Sequence, residues 1–222
     1  MDAVNKYYLR LLYKVRSVIS KLLFEEKRKI KMQRELKNRD FTIIASNCVG
    51  GMVYSDLNQQ FRTPTINLYL AAEDFIKFCK NLNYYLEVPL KELKSDYPYP
   101  LAQLDDVTLH MVHYETFEEA EKKWKERKKR VNYDNLFVIG NDRDGFHDGM
   151  LEAFDTIPYK KMMFSHKEMK EYKWACYLPE AKKLDMVPEL TLYASLFGEK
   201  YYDKHFDFVK WLNGTDVNDC YK

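Results

Sequence analysis

Glycine and proline are scarce in this sequence, with seven of each among 222 residues. Collagen-like chains and low-complexity disordered chains are rich in these residues, so both classes are excluded. Long apolar runs are also missing: none approaches the roughly 18–20 residues that cross a bilayer as a helix. The charged N-terminal segment lacks the apolar stretch of a signal peptide. We therefore expect a globular cytoplasmic protein.

Paired cysteines are absent as well. The four cysteines are far apart, the closest two being Cys48 and Cys79, and no C-x-x-C unit occurs. This spacing excludes a zinc finger and a disulfide-stapled scaffold. We expect four free thiols in a reducing compartment.

Charge is unevenly distributed along the chain. Residues 1–40 hold twelve Lys or Arg against five Asp or Glu, a net charge of +7, so the remaining 182 residues carry −5 of the total of +2. The two parts should have different partners. Nucleic acid is not expected, because the body is acidic and no recognition motif accompanies the basic segment.

The composition is rich enough in apolar and aromatic residues, 46% and 15%, to bury one core. Strand-like and helix-like segments alternate, which predicts a three-layer α/β sandwich with a largely parallel or mixed sheet. We assign residues 41–222 to this single domain. Strands are predicted at Phe41–Ala45, Thr65–Leu70, Glu87–Leu93, Val107–Tyr114, Leu136–Ile139, Lys161–Ser165 and Trp174–Leu178. Helices are predicted at Ala71–Tyr85, Phe117–Arg130 (capped by Thr116), Phe146–Phe154 and within Leu190–Asn213.

Residues 3–37 form a long amphipathic helical pattern within a basic extension, residues 1–40. Apolar residues recur at steps of three and four, with lysines and arginines on the other face. Two interpretations stay open. The helix packs on the domain or on a second subunit, which allows a homodimer, or it lies on an anionic membrane surface.

The stretch Phe41–Asp56 combines an apolar strand with the sequence S-N-C-V-G-G. Ligands collect at the carboxyl ends of such strands, so we predict substrate contacts from Ser46, Asn47, Gly50 and Gly51. The stretch is not a Walker, dinucleotide-binding or hydrolase-elbow motif. Cys48 is a candidate nucleophile if a histidine reaches it. The plain alternative is a tight turn above a buried thiol.

Two histidines follow in the predicted strand Val107–Tyr114. A separation of three residues places His110 and His113 on opposite faces of a strand. His113 lies nearer the carboxyl end and is the better candidate for a catalytic base. Asp56 is an alternative base. A hydrogen-bonded core histidine is the plain reading of either.

The tripeptide Asp142-Arg143-Asp144 follows the apolar run Leu136–Ile139. Two carboxylates at this place are typical of a site for Mg or Mn bound to a nucleotide diphosphate. Arg143 could then contact a phosphate. The alternative is a turn in which an aspartate caps the following helix. Near Arg127 and Arg130, the charged helix end favours a structural role.

Several motifs together resemble a known family: S-N-C-x-G-G after a strand, R-T-P-T-I-N-L-Y, D-D-V-T-L-H-M-V-H-Y, R-V-N-Y-D-N-L-F-V and D-R-D. The chain resembles, over about Phe41 to Asp207, a bacterial family of unknown function. Its members occur among capsular and exopolysaccharide biosynthesis genes. The resemblance implies an α/β fold and a polysaccharide context, and it brings no established reaction.

Three hypotheses for function follow. The first is a transferase of sugars or sugar-linked groups from a nucleotide-sugar, with Asp142 and Asp144 as metal ligands. The second is a thiol-dependent acyltransferase or hydrolase built on Cys48. The third is a non-catalytic, membrane-peripheral adaptor of polysaccharide assembly held by residues 3–37.

Overall fold

The computed structural model describes residues 13–222, and its strands form two sheets. Four strands run parallel, and three shorter ones form an antiparallel sheet. The α/β prediction is confirmed as a mixed α/β architecture containing a parallel sheet. In chain order the strands are β1 (Thr42–Ala45), β2 (Lys91–Leu93), β3 (Leu101–Leu104), β4 (Val107–His110), β5 (Leu136–Asn141), β6 (Lys160–Ser165) and β7 (Ala175–Tyr177).

The parallel sheet has the order β1-β5-β6-β7 and is buried on both faces. All six residues of the interior strand β5 are buried. Its side chains alternate, so that Phe137 and Ile139 join one apolar cluster while Leu136 and Val138 join the other. Because the strands are parallel, the carboxyl ends of β1, β5 and β6 lie side by side at one edge.

Helices cover this sheet and connect its strands. They are α1 (Glu25–Glu35), α2 (Val49–Asp56), α3 (Ala72–Lys80), α4 (Leu82–Glu87), α5 (Phe117–Lys128), α6 (Leu151–Asp155), α7 (Tyr201–Lys204) and α8 (Phe208–Leu212). Helix α5 begins as the sequence predicts, because the Glu119 amide donates to Thr116 Oγ1 at 3.2 Å.

The antiparallel sheet, in the order β2-β3-β4, is a feature that the sequence analysis did not separate from the main sheet. Strands β3 and β4 form a hairpin through Asp105 and Asp106, and Asp105 adopts a positive φ of 53°. Aspartate is one of the residues that tolerate this conformation in a two-residue hairpin turn. Strand β4 also ends earlier than predicted, at His110, so His113 lies in a turn and not on a strand.

Thr65–Leu70 is a second difference. The segment is mostly turn, with Asn67 at a φ of 64°, and Tyr69 alone pairs with His110 in an isolated bridge. Asn67 breaks the extended conformation because asparagine readily adopts the left-handed region. The segment nevertheless joins the two sheets, since the Leu70 amide donates to the Ser46 carbonyl at 3.0 Å.

The predicted N-terminal helix is present over residues 13–35, and residues 3–12 of that prediction lie outside the described part. A wide π-helical turn, Ser20–Phe24, interrupts it before α1. Beyond this turn the helix is attached to the body through Arg28, which bonds Asp56 and Asp203. Leu36, directly after α1, is buried. Within residues 13–222 no helix is both long and apolar enough to cross a membrane.

Candidate functional site

The candidate site begins where β1 ends. The buried Ser46 accepts a hydrogen bond at Oγ from Asn141 Nδ2, at 2.9 Å, which ties the end of β1 to the end of β5. Asn47 follows, and its Oδ1 accepts the Val49 amide at 3.1 Å. Cys48 then stands directly before α2, half-buried. The strand end therefore presents the thiol at a helix N-terminus.

His113 meets this thiol. Its Nε2 lies 3.4 Å from Cys48 Sγ, a hydrogen-bond distance when sulfur takes part. The sequence alone does not show whether any histidine reaches Cys48, and the fold brings these two together. A thiol beside an imidazole is the arrangement that activates a cysteine nucleophile. The catalytic roles of both residues stay predictions.

Hydrogen bonds of the neighbouring Tyr114 hold the turn that contains His113. Tyr114, the next residue, donates from its hydroxyl to the Ile66 carbonyl at 3.2 Å and accepts from Arg127 at 2.7 Å. Arg127 also donates to the Ile66 carbonyl. Arg127 thus has the structural role that the sequence analysis favoured, and Arg130 likewise donates to the Phe61 carbonyl.

Burial and a nearby carboxylate oppose ionisation of Cys48. Burial raises the pKa of the thiol, and the negative charge of Glu189 raises it further. The helix N-terminus acts in the other direction, since the amides of its first turn favour a negative sulfur. The pKa of the thiol is raised on balance, so the resting thiol is protonated and the nearby imidazole is needed to remove its proton.

The glycine pair lies inside α2 and not in an open turn. A Cβ on Gly50 would stand 2.9 Å from the Ala45 Cβ, so this glycine lets α2 pack closely on β1. A Cβ on Gly51 would approach no closer than 3.5 Å to Ile66. Both amides belong to the first helical turn, which has no intrahelical acceptor for them. Gly50 is buried and Gly51 is half-buried.

Asp142, at the end of β5, serves as an acceptor within the protein. Its Oδ1 accepts the Val187 amide at 2.8 Å, and its Oδ2 accepts the His166 amide at 2.6 Å. His166 Nδ1 also lies 2.5 Å from Oδ2. Three of roughly four acceptor positions on the carboxylate are thereby occupied. These bonds do not favour Asp142 as a metal ligand.

Asp144 and Arg143 complete the predicted tripeptide. Asp144 adopts a φ of 62°, and burial followed by the charge of Glu189 raises the pKa of its carboxyl. Arg143 donates to the Val187 carbonyl at 2.7 Å. Residues 13–222 contain no group of three His, Cys, Asp or Glu side chains suited to a metal ion. The Mg or Mn site at Asp142 and Asp144 stays a prediction.

A cleft of about 580 Å³ opens beside this strand end. Asp142, His166 and Lys167 line it, together with Phe146, His147, Asp148, Gly149, Ser165, Met169 and Asp185. If the carboxylate of Asp142 accepts the proton of His166 Nδ1, Nε2 of that ring is left as an acceptor. A buried aspartate that orients a histidine at a cleft is an arrangement suited to a general base.

Glu189 lies near both the Cys48 thiol and the cleft beside Asp142. Its negative charge raises the pKa of the Cys48 thiol and of the Asp144 carboxyl. It also follows, by two residues, Val187, whose amide donates to Asp142. Two residues span at most about 7 Å. Cys48 and the Asp142 cleft therefore belong to the same edge of the sheet, as the carboxyl-end argument predicts.

Asp56, the alternative base, lies at the other end of α2. Its carboxylate is fully buried and bonds Arg28 and the Tyr202 hydroxyl, with Lys29 and Lys200 at 3.4 and 3.8 Å. These partners hold the N-terminal helix on the body. His110 lies among Tyr69, Tyr97 and Tyr99, and burial lowers its pKa.

His166 and Glu189 belong to the candidate site but are not among the residues predicted from the sequence. His166 follows β6, the strand next to β5, and the pair Ser165-His166 after an apolar run is a signal of the kind used for Ser46 and Asp142. Glu189 lies in a long segment without regular strands or helices. No local pattern indicates that this segment crosses the edge of the sheet.

The chain matches the family described as a domain of unknown function, DUF1919, over residues 19–213. This match begins in the N-terminal helix, before the Phe41 at which the motif resemblance starts. An uncharacterized protein of Haemophilus influenzae, strain Rd, is 39% identical over 183 residues, which are 82% of this chain and 88% of that protein. The chain belongs to the DUF1919 family.

Proposed function

We propose that the protein is a thiol-dependent acyltransferase or hydrolase in which Cys48 is the nucleophile and His113 the base. The observation that carries this proposal is the 3.4 Å separation of Cys48 Sγ and His113 Nε2. The thiol is half-buried and the imidazole is exposed, so an acyl donor in solution can approach the pair.

In the first half of the reaction, His113 Nε2 takes the thiol proton while sulfur attacks the acyl carbon of an activated ester or thioester. The tetrahedral intermediate carries its negative charge on the former carbonyl oxygen. We assign its stabilisation to the Gly50 and Gly51 amides of the first turn of α2. Collapse expels the leaving group, which receives the proton from His113, and an acyl thioester remains on Cys48.

In the second half, His113 accepts the proton of an acceptor hydroxyl or of water. The oxygen attacks the acyl carbon, and the sulfur leaves as a thiolate that recovers the proton from His113. Transfer to a hydroxyl gives an ester, and transfer to water gives hydrolysis. The raised pKa of Cys48 requires a base in the first half, because few resting thiols are ionised at neutral pH.

The test uses p-nitrophenyl acetate as the acyl donor. We expect a burst of p-nitrophenolate and one added acetyl group on Cys48, detected by mass spectrometry of the digested protein. His113→Gln should slow the burst by about 100-fold or more, and Cys48→Ser should abolish thioester formation. His110→Gln is the matched control, since His110 lies among tyrosines and has the Tyr99 hydroxyl as its hydrogen-bond partner. Equal acetylation of all four cysteines would overturn the proposal.

A second candidate function is transfer of a sugar or sugar-linked group, and the Asp142–His166 pair favours it. His166 would accept the proton of an acceptor hydroxyl bound in the cleft, and Asp142 would hold the ring in the required orientation. The polysaccharide context comes from the motif resemblance. Either reaction could modify a glycan, so the two candidates differ in donor and in base.

The two candidates are separated by paired variants. His166→Gln and Asp142→Asn should lower consumption of a panel of nucleotide-sugars but leave acetylation of Cys48 by p-nitrophenyl acetate unchanged. Cys48→Ser should give the reverse result. If the wild-type protein consumes no nucleotide-sugar with added Mg or Mn, the second candidate fails without affecting the first.

A further inference from the structure

A patch of exposed apolar side chains lies on the N-terminal helix and on a loop beside it. Leu22 is 74% exposed, Phe197 67% and Leu23 58%. Apolar side chains exposed next to one another mark interaction surfaces more often than single ones do. We call this surface the helix–loop patch and define it by Val15, Val18, Leu22, Leu23, Leu196 and Phe197.

The fold builds this patch from two distant parts of the chain. Phe24 and Phe197 have their ring centroids 5.4 Å apart, and Ser20 donates to the Ser195 carbonyl at 2.8 Å. Gly198 has a φ of 84°, and a Cβ there would stand 3.0 Å from the Glu25 amide nitrogen. Only glycine allows the loop to lie this close to the helix. The loop is therefore held so that Phe197 extends the apolar face of the helix.

The π-helical turn Ser20–Phe24 lies between Val18 and α1. Such a turn adds a residue and changes the direction in which the following side chains point. After it, Arg28 and Met32 face the body. Before and within it, Arg16 and Ser20 donate to the carbonyls of Tyr193 and Ser195, whereas Val15, Val18 and Leu22 are 48%, 56% and 74% exposed. The apolar stripe of the first half is thus largely open to solvent.

Lysines predominate among the exposed charges of the helix that carries the patch. Over residues 13–30, Lys14, Lys21 and Lys27 are exposed against the single exposed Glu26, and residues 1–40 carry a net charge of +7. An apolar face bordered by lysines fits the boundary between the headgroups and acyl chains of an anionic bilayer. A symmetric dimer through this patch would bring two lysine-rich helices of the same charge together, which opposes association.

We propose that the helix–loop patch docks the protein on an anionic membrane surface. The apolar side chains enter the interface while the lysines meet the lipid headgroups. Docking does not depend on the reaction at Cys48, but it would bring that reaction to a membrane surface. The loop residues Leu196 and Phe197 belong to the docking surface together with the helix.

Vesicle sedimentation with the full chain tests this proposal. We expect binding to vesicles containing phosphatidylglycerol, less binding as salt is raised, and little binding to pure phosphatidylcholine vesicles. The double variant Leu22→Gln with Phe197→Gln should bind about tenfold to a hundredfold more weakly, because two apolar side chains no longer leave water. Lys14→Glu with Lys21→Glu should abolish the preference for the anionic lipid.

Matched controls use exposed residues away from the patch. Leu184→Gln removes a half-exposed leucine, and Lys94→Glu reverses an exposed lysine elsewhere; both should bind like the wild type. Equal binding of the wild type and the double variant would overturn the proposal. So would a wild-type dimer in sedimentation equilibrium that the double variant converts to monomer, since a second copy would then cover the patch.

Discussion

At the scale of single residues, the chemistry of Cys48 depends on three neighbours with different effects. His113 offers an acceptor for the thiol proton, the helix N-terminus favours the thiolate, and Glu189 opposes it. Burial and the charge of Glu189 keep the thiol protonated until a substrate is bound and His113 takes the proton. The same neighbours determine how this thiol reacts with added reagents.

Glu189→Gln should make Cys48 more reactive. Removing the negative charge lowers the pKa of the thiol, so a larger fraction is thiolate at a given pH. We expect the rate of alkylation by iodoacetamide to rise roughly severalfold near neutral pH, and the whole rate–pH profile to move to lower pH. The exposed Glu118 on α5 provides the control, because Glu118→Gln should leave the profile in place. An unchanged profile in Glu189→Gln would show that the carboxylate does not act on the thiol.

Gly50→Ala and Gly51→Ala make a matched pair in one helical turn. The first adds a methyl group 2.9 Å from the Ala45 Cβ, which should lower the free energy of unfolding by about 1–3 kcal/mol. The second meets only ordinary contacts and should be neutral or stabilising by up to about 1 kcal/mol. Urea denaturation measures both. Equal effects would mean that close packing of α2 on β1 is not what requires a glycine at position 50.

At the scale of elements, α1 and α2 are joined by buried charge and not only by apolar packing. Arg28 of α1 bonds both Asp56 and Asp203, and Lys200 contributes a further positive charge beside Asp56. Burial raises the pKa of Asp56, but Arg28 and Lys200 outweigh it, so the pKa is lowered. Removing one partner of such a group leaves the others buried and uncompensated.

Asp56→Asn should therefore lower the free energy of unfolding by about 3–5 kcal/mol at neutral pH. Asp40→Asn is the control: Asp40 pairs with Arg62 at the surface, and its loss should cost at most about 1 kcal/mol. The folded pKa of Asp56 lies below its unfolded value near 3.8. Its contribution is thus present above that value and is lost as the pH falls through the folded pKa. The difference between wild type and variant should shrink in acid; a constant difference would contradict this account.

At the scale of the whole molecule, the N-terminal helix and the body share one set of contacts. The sequence predicts that the helical extension ends and the domain begins after residue 40. In the structure, however, Arg28 and Leu36 lie against groups of the body. The family match from residue 19 includes this part of the helix as well. The predicted division into residues 1–40 and 41–222 is untested as a folding boundary, and the buried ion pairs give it a clear test.

A chain that begins at residue 39 should be less stable than the full chain. It lacks Arg28, so Asp56 and Asp203 would be buried without their main partner, and the cluster around Leu36 would be exposed. We expect a lower midpoint of urea unfolding and more aggregation, with a smaller loss in the same direction for Arg28→Met. A truncated chain with the stability of the full protein would show that residues 41–222 fold independently.

The hydrophobic pattern of the sequence predicts much of the architecture. The central strand near Leu136, the strand before Ser165 and the helix capped by Thr116 were all predictable, because burial and capping are local properties. The false strand at Thr65–Leu70 shows the limit of that pattern. Asn67 takes a left-handed conformation there, and a short apolar run does not reveal it.

The alternating apolar pattern and the charge distribution of the sequence are sufficient to predict an α/β chain with polar residues at its strand ends and a basic helix before the body. The three-dimensional arrangement was needed to show that His113 reaches Cys48, that His166 joins Asp142, and that Phe197 extends the apolar face of the helix. These pairs are 65, 24 and 173 positions apart for Cys48–His113, Asp142–His166 and Phe24–Phe197. Contacts over such separations depend on how the strands and loops are arranged in space, which no local pattern encodes.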